Sequence, residues 1–306
     1  MGGALVIGDV TNEEFSDALA ALGEAFEVTT CADVAGAIAI NPSTDASRYE
    51  LIVLAQSRPG EVTQADCDQL RRCFPVAAMI SLAGSWCEGE MRSGKPPATG
   101  CRIYWHQAAH RLRQDIARHA AGHTPTWSLP TTSTEDERVL ARSRAPKRKQ
   151  QYLNGGEARA ADRQQQRGPV ALFGHERTSV EFLVDACRAG GFESHWIGTG
   201  RTIEPGRAVE PGTVQAAIWD VTILGDMSSE IAEITHIVPA ERIVALLGFP
   251  RWHDLQRAAH LGLGAVVSKP FVLDDLYSAL DNLFRVLDDS SNPRRHNAAA
   301  HVSEIL

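Results

Sequence analysis

Residues 264–280, Gly-Ala-Val-Val-Ser-Lys-Pro-Phe-Val-Leu-Asp-Asp-Leu-Tyr-Ser-Ala-Leu, join two different periodicities within one short run. Ala265, Val266 and Val267 form an apolar stretch too short for a helix, and Pro270 closes it, as expected of a buried strand. From Leu273 onward, Leu276, Leu280, Leu283 and Leu287 recur at helical spacing, with Asp274 and Asp275 in the first turn, where the helix dipole favours acids. A strand therefore ends on Lys269 and passes directly into an amphipathic helix. Reading backward from this junction, 251–262 is a helix with a glycine stop, 242–249 a strand, 228–238 a helix, and 214–220 a strand ending on Asp220. Before these come a strand at 195–198, a helix at 178–192 in which Val180, Leu183, Val184 and Cys187 share one face, and a strand at 169–174. Strands and helices alternating in this way imply a parallel sheet with helices on both faces. Ligands of such sheets sit beyond the carboxyl ends of the strands, which is where Asp220 and Lys269 fall.

The run from Ser268 to Phe271, followed by Asp274 and Asp275, is similar to the end of response-regulator receiver domains, the CheY-like superfamily. The resemblance spans about 120 residues, 169–288, as one domain-sized unit. It implies that Asp220 is the candidate phosphoacceptor and that Lys269 pairs with the phosphoryl oxygens. A carboxylate attacking phosphorus needs Mg²⁺ to neutralise the crowded negative charge, and hence further acids beside it. At those places the chain carries Gly174 and His175, with Glu176 one position late, so Mg²⁺ is expected, if anywhere, at Asp220 and Glu176. The reporting hydroxyl is replaced by Leu247, which cannot bond a phosphoryl oxygen. Two readings stand: a structural Asp220–Lys269 ion pair, which is preferred, or a residual phosphorylation site in which Glu176 helps hold metal. His175 is read as a solvated or hydrogen-bonded side chain before a metal ligand.

The first 120 residues repeat the plan in degraded form. Strands are expected at 3–10, 26–31, 49–62, 76–84 and 102–107, with helices at 13–26 and 32–40. The stretch from Tyr49 to Val62 is similar to a receiver's third strand and its Pro-Gly turn, but Ala55 stands where the aspartate belongs. Trp105 or His106 takes the place of the lysine. The resemblance thus implies a pseudo-receiver without phosphate chemistry. The fold class expected for the chain is α/β, two flavodoxin/CheY-like doubly wound sheets of five parallel strands, joined by a disordered linker.

Between the last two strands of the first half, 84–107 is rich in Gly and Pro and lacks a helical period. It concentrates Trp86, Cys87, Glu88, Glu90, Arg92, Tyr104, Trp105 and His106, which makes it the candidate interaction loop. The alternatives are that its two tryptophans cover a sheet face left bare by a missing helix, or that Cys87, Glu88, Cys101 and His106 carry thiol or zinc chemistry. Their spacing matches no standard zinc finger.

Residues 121–168 are rich in Thr, Ser, Gln, Pro and charge and read as a flexible basic linker. Within it, Trp127 is a candidate for docking onto the first domain, and a short helix capped by Ser133 or Thr134 is expected. Arg142, Arg144, Lys147, Arg148 and Lys149 form a basic cluster that nucleic acid or an acidic partner could use, which makes a DNA-associated regulator an alternative reading. A solvated tether is preferred, since no aromatic residues interleave with it as a single-strand surface requires. The formal net charge of −8 weighs against nucleic acid as a partner of the whole chain. No apolar run reaches the roughly 20 residues of a membrane span. With no basic, cleavable leader, the expected location is cytoplasmic. Residues 289–306 read as a disordered tail. No output domain is visible, so the expectation is a non-enzymatic signalling protein that works through protein partners, a histidine kinase or another regulator among them, with dimerisation open. The last helix, 274–287, is a second candidate surface.

Overall fold

The computed structural model describes residues 2–40, 48–134, 137–138, 140–141, 167–198, 213–221 and 228–290. The basic cluster at 142–149 and the tail from 291 onward lie outside the described residues. The chain divides into two units, Met1–Arg144 and Ala145–Leu306.

In the first unit five strands, β1 (Gly3–Gly8), β2 (Glu27–Cys31), β3 (Tyr49–Gln56), β4 (Ala78–Ala83) and β5 (Cys101–Tyr104), form one sheet in the order β2-β1-β3-β4-β5. All pairings are parallel. The helices are α1 (Ser16–Gly23), α2 (Val34–Ile40), α3 (Gln64–Cys73), the single turn α4 (Glu90–Ser93) and α5 (Trp105–Ala120). Helix α3 starts on a reciprocal cap in which Thr63 and Asp66 bond each other's backbone N–H groups, satisfying two donors that a helix start otherwise leaves open. The expected strand at 102–107 is shorter: β5 ends at Tyr104, and Trp105 already opens α5. Its indole and the Leu112 side chain, both buried, gain more by facing the sheet from a helix than by extending an edge strand.

In the second unit β6 (Arg167–Gly174), β7 (Phe192–Gly198), β8 (Ala216–Asp220), β9 (Ile243–Gly248) and β10 (Ala265–Lys269) form the sheet β10-β9-β8-β6-β7, again parallel throughout. Read from its own first strand, this is the same 2-1-3-4-5 winding as in the first unit, the flavodoxin-like doubly wound order. Helices α6 (Arg177–Ala189) and α9 (Leu273–Ser290) cover one face, where Val180, Leu183, Leu276 and Leu280 pack on Leu172, Ile218 and Leu246. Helices α7 (Ser228–Thr235) and α8 (Trp252–His260) cover the other, around Trp219 and Phe173. Each fully buried Leu or Val contributes about 1.5–3 kcal/mol. The alternation of Ala216, Ile218 and Asp220 against Ala217 and Trp219 therefore pins the register of β8 and aims Asp220 to the α6/α9 side.

Trp127 does dock on the first unit. It is buried, and its ring meets Phe26 edge-on at 6.4 Å. Residues 137, 138, 140 and 141 are helical, with Glu137 N–H donating to Thr134 Oγ1 (3.2 Å) and Thr134 N–H to Glu137 Oε2 (2.8 Å). Arg138, buried, donates to the carbonyls of Gly100, Pro130 and Ser133.

Candidate functional site

The winding reverses between β6 and β8, and the crevice beyond the carboxyl ends of these strands is where a doubly wound sheet takes ligands. Gly174 closes β6 and pairs in register with Asp220 at the end of β8. A Cβ on Gly174 would lie 3.0 Å from Val180 Cγ2 and 3.3 Å from Asp220 Cβ, so a larger residue there would crowd both. From β10, on the far side of β9, Lys269 Nζ donates to Asp220 Oδ1 at 2.6 Å. The carboxylate side chain is 11% exposed and the ammonium 31%. The pair lines a cavity of about 320 Å³ together with Thr178, Ser179, Phe182 and Phe271. Phe182 and Phe271 stand 6.5 Å apart, ring to ring, as its apolar wall. These residues of α6 were not singled out in the sequence, where Phe182 reads as one more apolar helical position.

Among the described residues, the other expected site residues do not join this pair. Glu176 precedes α6, is exposed, and its carboxylate accepts the Ser179 hydroxyl at 3.2 Å; it is not among the residues lining the cavity. His175 Nε2 lies 3.0 Å from Glu230 Oε1, and the Trp219 indole N–H donates to the other oxygen of Glu230 at 3.3 Å. Mg²⁺ requires near-octahedral oxygen coordination. Among the described residues, Asp220 is the one carboxylate lining the cavity, its Oδ1 is taken by Lys269, and no group of three His, Cys, Asp or Glu side chains is arranged for a metal. This donor set does not fit the ion.

Leu247 is corrected by the strand register. It packs in the core on the α7/α8 face with Ala245 and Trp219, whereas Asp220 is paired with Leu246, and Lys269 with Gly248. Because side chains alternate along a strand, Leu246 and Gly248 are the β9 residues on the pair's side. Neither carries a hydroxyl, so the consequence drawn from Leu247 holds through different residues.

The first unit shows the same places emptied. Gly8 pairs with Ala55 and Ala55 with Leu82, just as Gly174 pairs with Asp220 and Asp220 with Leu246. Gly8 has φ +128°, and a Cβ there would meet the Ala55 carbonyl, so this close approach requires glycine. Counting on through β5, Trp105 occupies the place of Lys269, and its buried indole replaces the ammonium.

The loop after β4 divides its aromatic residues between two roles. Trp86 is 67% exposed and Met91 63%, while Trp105 and Cys87 are buried. The loop is anchored from beneath: Arg102 Nη2 donates to Glu90 Oε2 at 2.6 Å, and the Ser85 N–H to Glu14 Oε2 at 2.9 Å. Arg92 is exposed, Tyr104 stacks on the His106 ring, and the Arg102 guanidinium lies 5.7 Å from the Tyr104 ring centroid. Burial pushes the Cys87 thiol up to about 11, the opposite of what a thiolate nucleophile needs. Burial, with the nearby Arg111 charge, lowers His106 to about 4, so the imidazole 3.7 Å from Glu88 is neutral near pH 7 and is no ion-pair partner.

The sequence matches no protein-family model, and no curated protein matches it. Among solved structures, one neighbour is described as a two-component system response regulator/GGDEF domain protein. It is 13% identical, with 94% of this chain and 99% of that one covered, at a TM-score of 0.33. Full-length ShkA in complex with AMPPNP is 12% identical, with 92% and 51% covered and a TM-score of 0.30. A D-3-phosphoglycerate dehydrogenase oxidoreductase from Ralstonia solanacearum is 15% identical, with 89% and 83% covered and a TM-score of 0.24. Response regulators are thus among the neighbours, but overlaps this loose carry no argument about mechanism. No described helix is long and apolar enough to cross a membrane.

Proposed function

We propose that this chain is an atypical, response-regulator-like signalling protein that acts by docking other proteins, a histidine kinase or another regulator being the expected kind, and that it is not an enzyme. The observation that carries the reading is the Asp220–Lys269 pair, closed at 2.6 Å at the switch point of a 2-1-3-4-5 sheet, with no second carboxylate among the described residues that line its cavity. A carboxylate already neutralised by an ammonium is a poor phosphorus nucleophile, and without a metal the approach of a phosphodianion is unscreened. The pair serves as a structural tie. Docking is supported by the anchored loop that presents Trp86 and Met91 to solvent, since exposed large apolar side chains on a rigid support suit a protein partner.

Intact-mass analysis after incubation with acetyl phosphate and Mg²⁺ tests this directly. The expected spectrum is unchanged. A stable gain of one phosphoryl group that disappears in Asp220→Ala would overturn the structural-tie reading and restore Asp220 as a phosphoacceptor.

A further inference from the structure

A second cavity lies at the opposite, amino-terminal edge of the first unit's sheet, where no role has been assigned. It has a volume of about 340 Å³, within the range of small-ligand sites. Its inner walls include Phe26, Tyr49 and Trp127, all buried; its mouth carries Glu50, His119 and Val76, all exposed. We propose that this aromatic box, with the Glu50 carboxylate at its mouth, binds a small alkylammonium cation such as a trimethylammonium group.

The sign of the ligand follows from the lining. Among the described residues, no lysine or arginine contributes to the cavity, and its one carboxylate is Glu50. Aromatic faces carry negative quadrupole potential and attract cations, best where water is excluded. The Phe26 and Trp127 rings stand at 65° to each other with centroids 6.4 Å apart, so they form two walls of a corner, not a stack. Methyl groups on nitrogen match such walls, because they spread the charge and supply apolar surface at once. A neutral ligand would gain burial but nothing from Glu50, and an anion would be repelled by it.

The box is held in shape before any ligand arrives. Trp127 is fixed by its neighbour Thr126, whose N–H donates to Asp115 Oδ1 at 3.0 Å and whose hydroxyl donates to the other oxygen of the same buried carboxylate. Tyr49 is braced edge-on by Phe74 at 5.8 Å. The Arg48 guanidinium lies 5.7 Å from the Tyr49 ring centroid but is tied to Glu27 and does not line the cavity. His119 lies 3.9 Å from Glu50 at the mouth and is the group a ligand would displace from that carboxylate.

Titrating the full-length protein by calorimetry or ligand-observed NMR decides the matter with three probes: choline, its neutral isostere 3,3-dimethylbutan-1-ol, and acetyl-trimethyllysine amide. Both cations should bind saturably in the millimolar range or tighter, and the neutral alcohol about tenfold more weakly. Glu50→Gln, a change at an exposed side chain, should weaken the cations about three- to tenfold and leave the alcohol unchanged. Tighter binding of trimethyllysine would assign the source to a modified protein tail, and tighter binding of choline to a free small molecule. Equal affinity for cation and isostere, no effect of Glu50→Gln, or no saturable binding of either cation would each overturn the proposal.

Discussion

A double-mutant cycle on Asp220 and Lys269 measures whether the switch-point pair is a structural tie. In Asp220→Ala the ammonium loses its carboxylate, but at 31% exposure it regains water. Its loss falls between the values for surface and buried pairs, roughly 1.5–2 kcal/mol. In Lys269→Met the carboxylate, only 11% exposed, is stranded beside Leu246 and Phe182. That costs more, about 3 kcal/mol. The double variant removes both charges, so its cost should be well below the sum, with a coupling of about 1–2 kcal/mol. Hydrogen exchange isolates the second unit within the full chain: the slowest amides of β8 and β9 report its global unfolding free energy. Added salt should change the coupling little, because the pair is partly withdrawn from solvent. If the two single variants add to within about 0.3 kcal/mol, or if Asp220→Ala is neutral or stabilising, the pair is not a tie and the argument fails.

The first unit should lose stability in acid through His106. Its folded pKa is depressed to about 4 from 6.5, so the unfolded chain takes up a proton first as pH falls. The stabilisation is complete above 6.5 and is lost progressively toward about 4, to a total of about 3 kcal/mol. Urea midpoints across that window should fall in the wild type and flatten in His106→Gln; parallel curves would refute the assignment. Ala55→Asp should not create a phosphoacceptor in the first unit. The new carboxylate would stand at a fully enclosed place, paired in register with Gly8 and Leu82, neither of which carries a charge. It should cost about 3–5 kcal/mol, read as a large drop in melting temperature, and an unchanged melting temperature would show that the site is wetter than its burial implies.

Much of this molecule is legible in its local pattern. Short apolar runs alternating with helical repeats specify two parallel sheets, because the side-chain period of each element is a local property that burial then enforces. The lysine-proline junction at 269–270 and the missing aspartate at 55 are likewise visible one residue at a time, and the Thr134 cap and docked Trp127 follow from short-range signals. The face on which a strand-end residue lands is less secure. The sequence places Leu247 at the switch position, whereas the register pairs Asp220 with Leu246 and turns Leu247 to the other side of the sheet, since a one-residue shift flips every side chain at once.

Which residues meet across the fold is decided only by the crossovers. Asp220 and Lys269 are brought within 2.6 Å by strands that are not neighbours. Phe182 reaches their cavity from α6, and Trp105 enters the corresponding place of the first unit because β5 ends at Tyr104, three residues short of the expected 107. Phe26, Tyr49 and Trp127 come from three separate segments of the chain, and no sequence period links them. Element type follows from nearest neighbours along the chain, whereas a cavity is made by packing between distant segments, and that information exists only once the layers have closed.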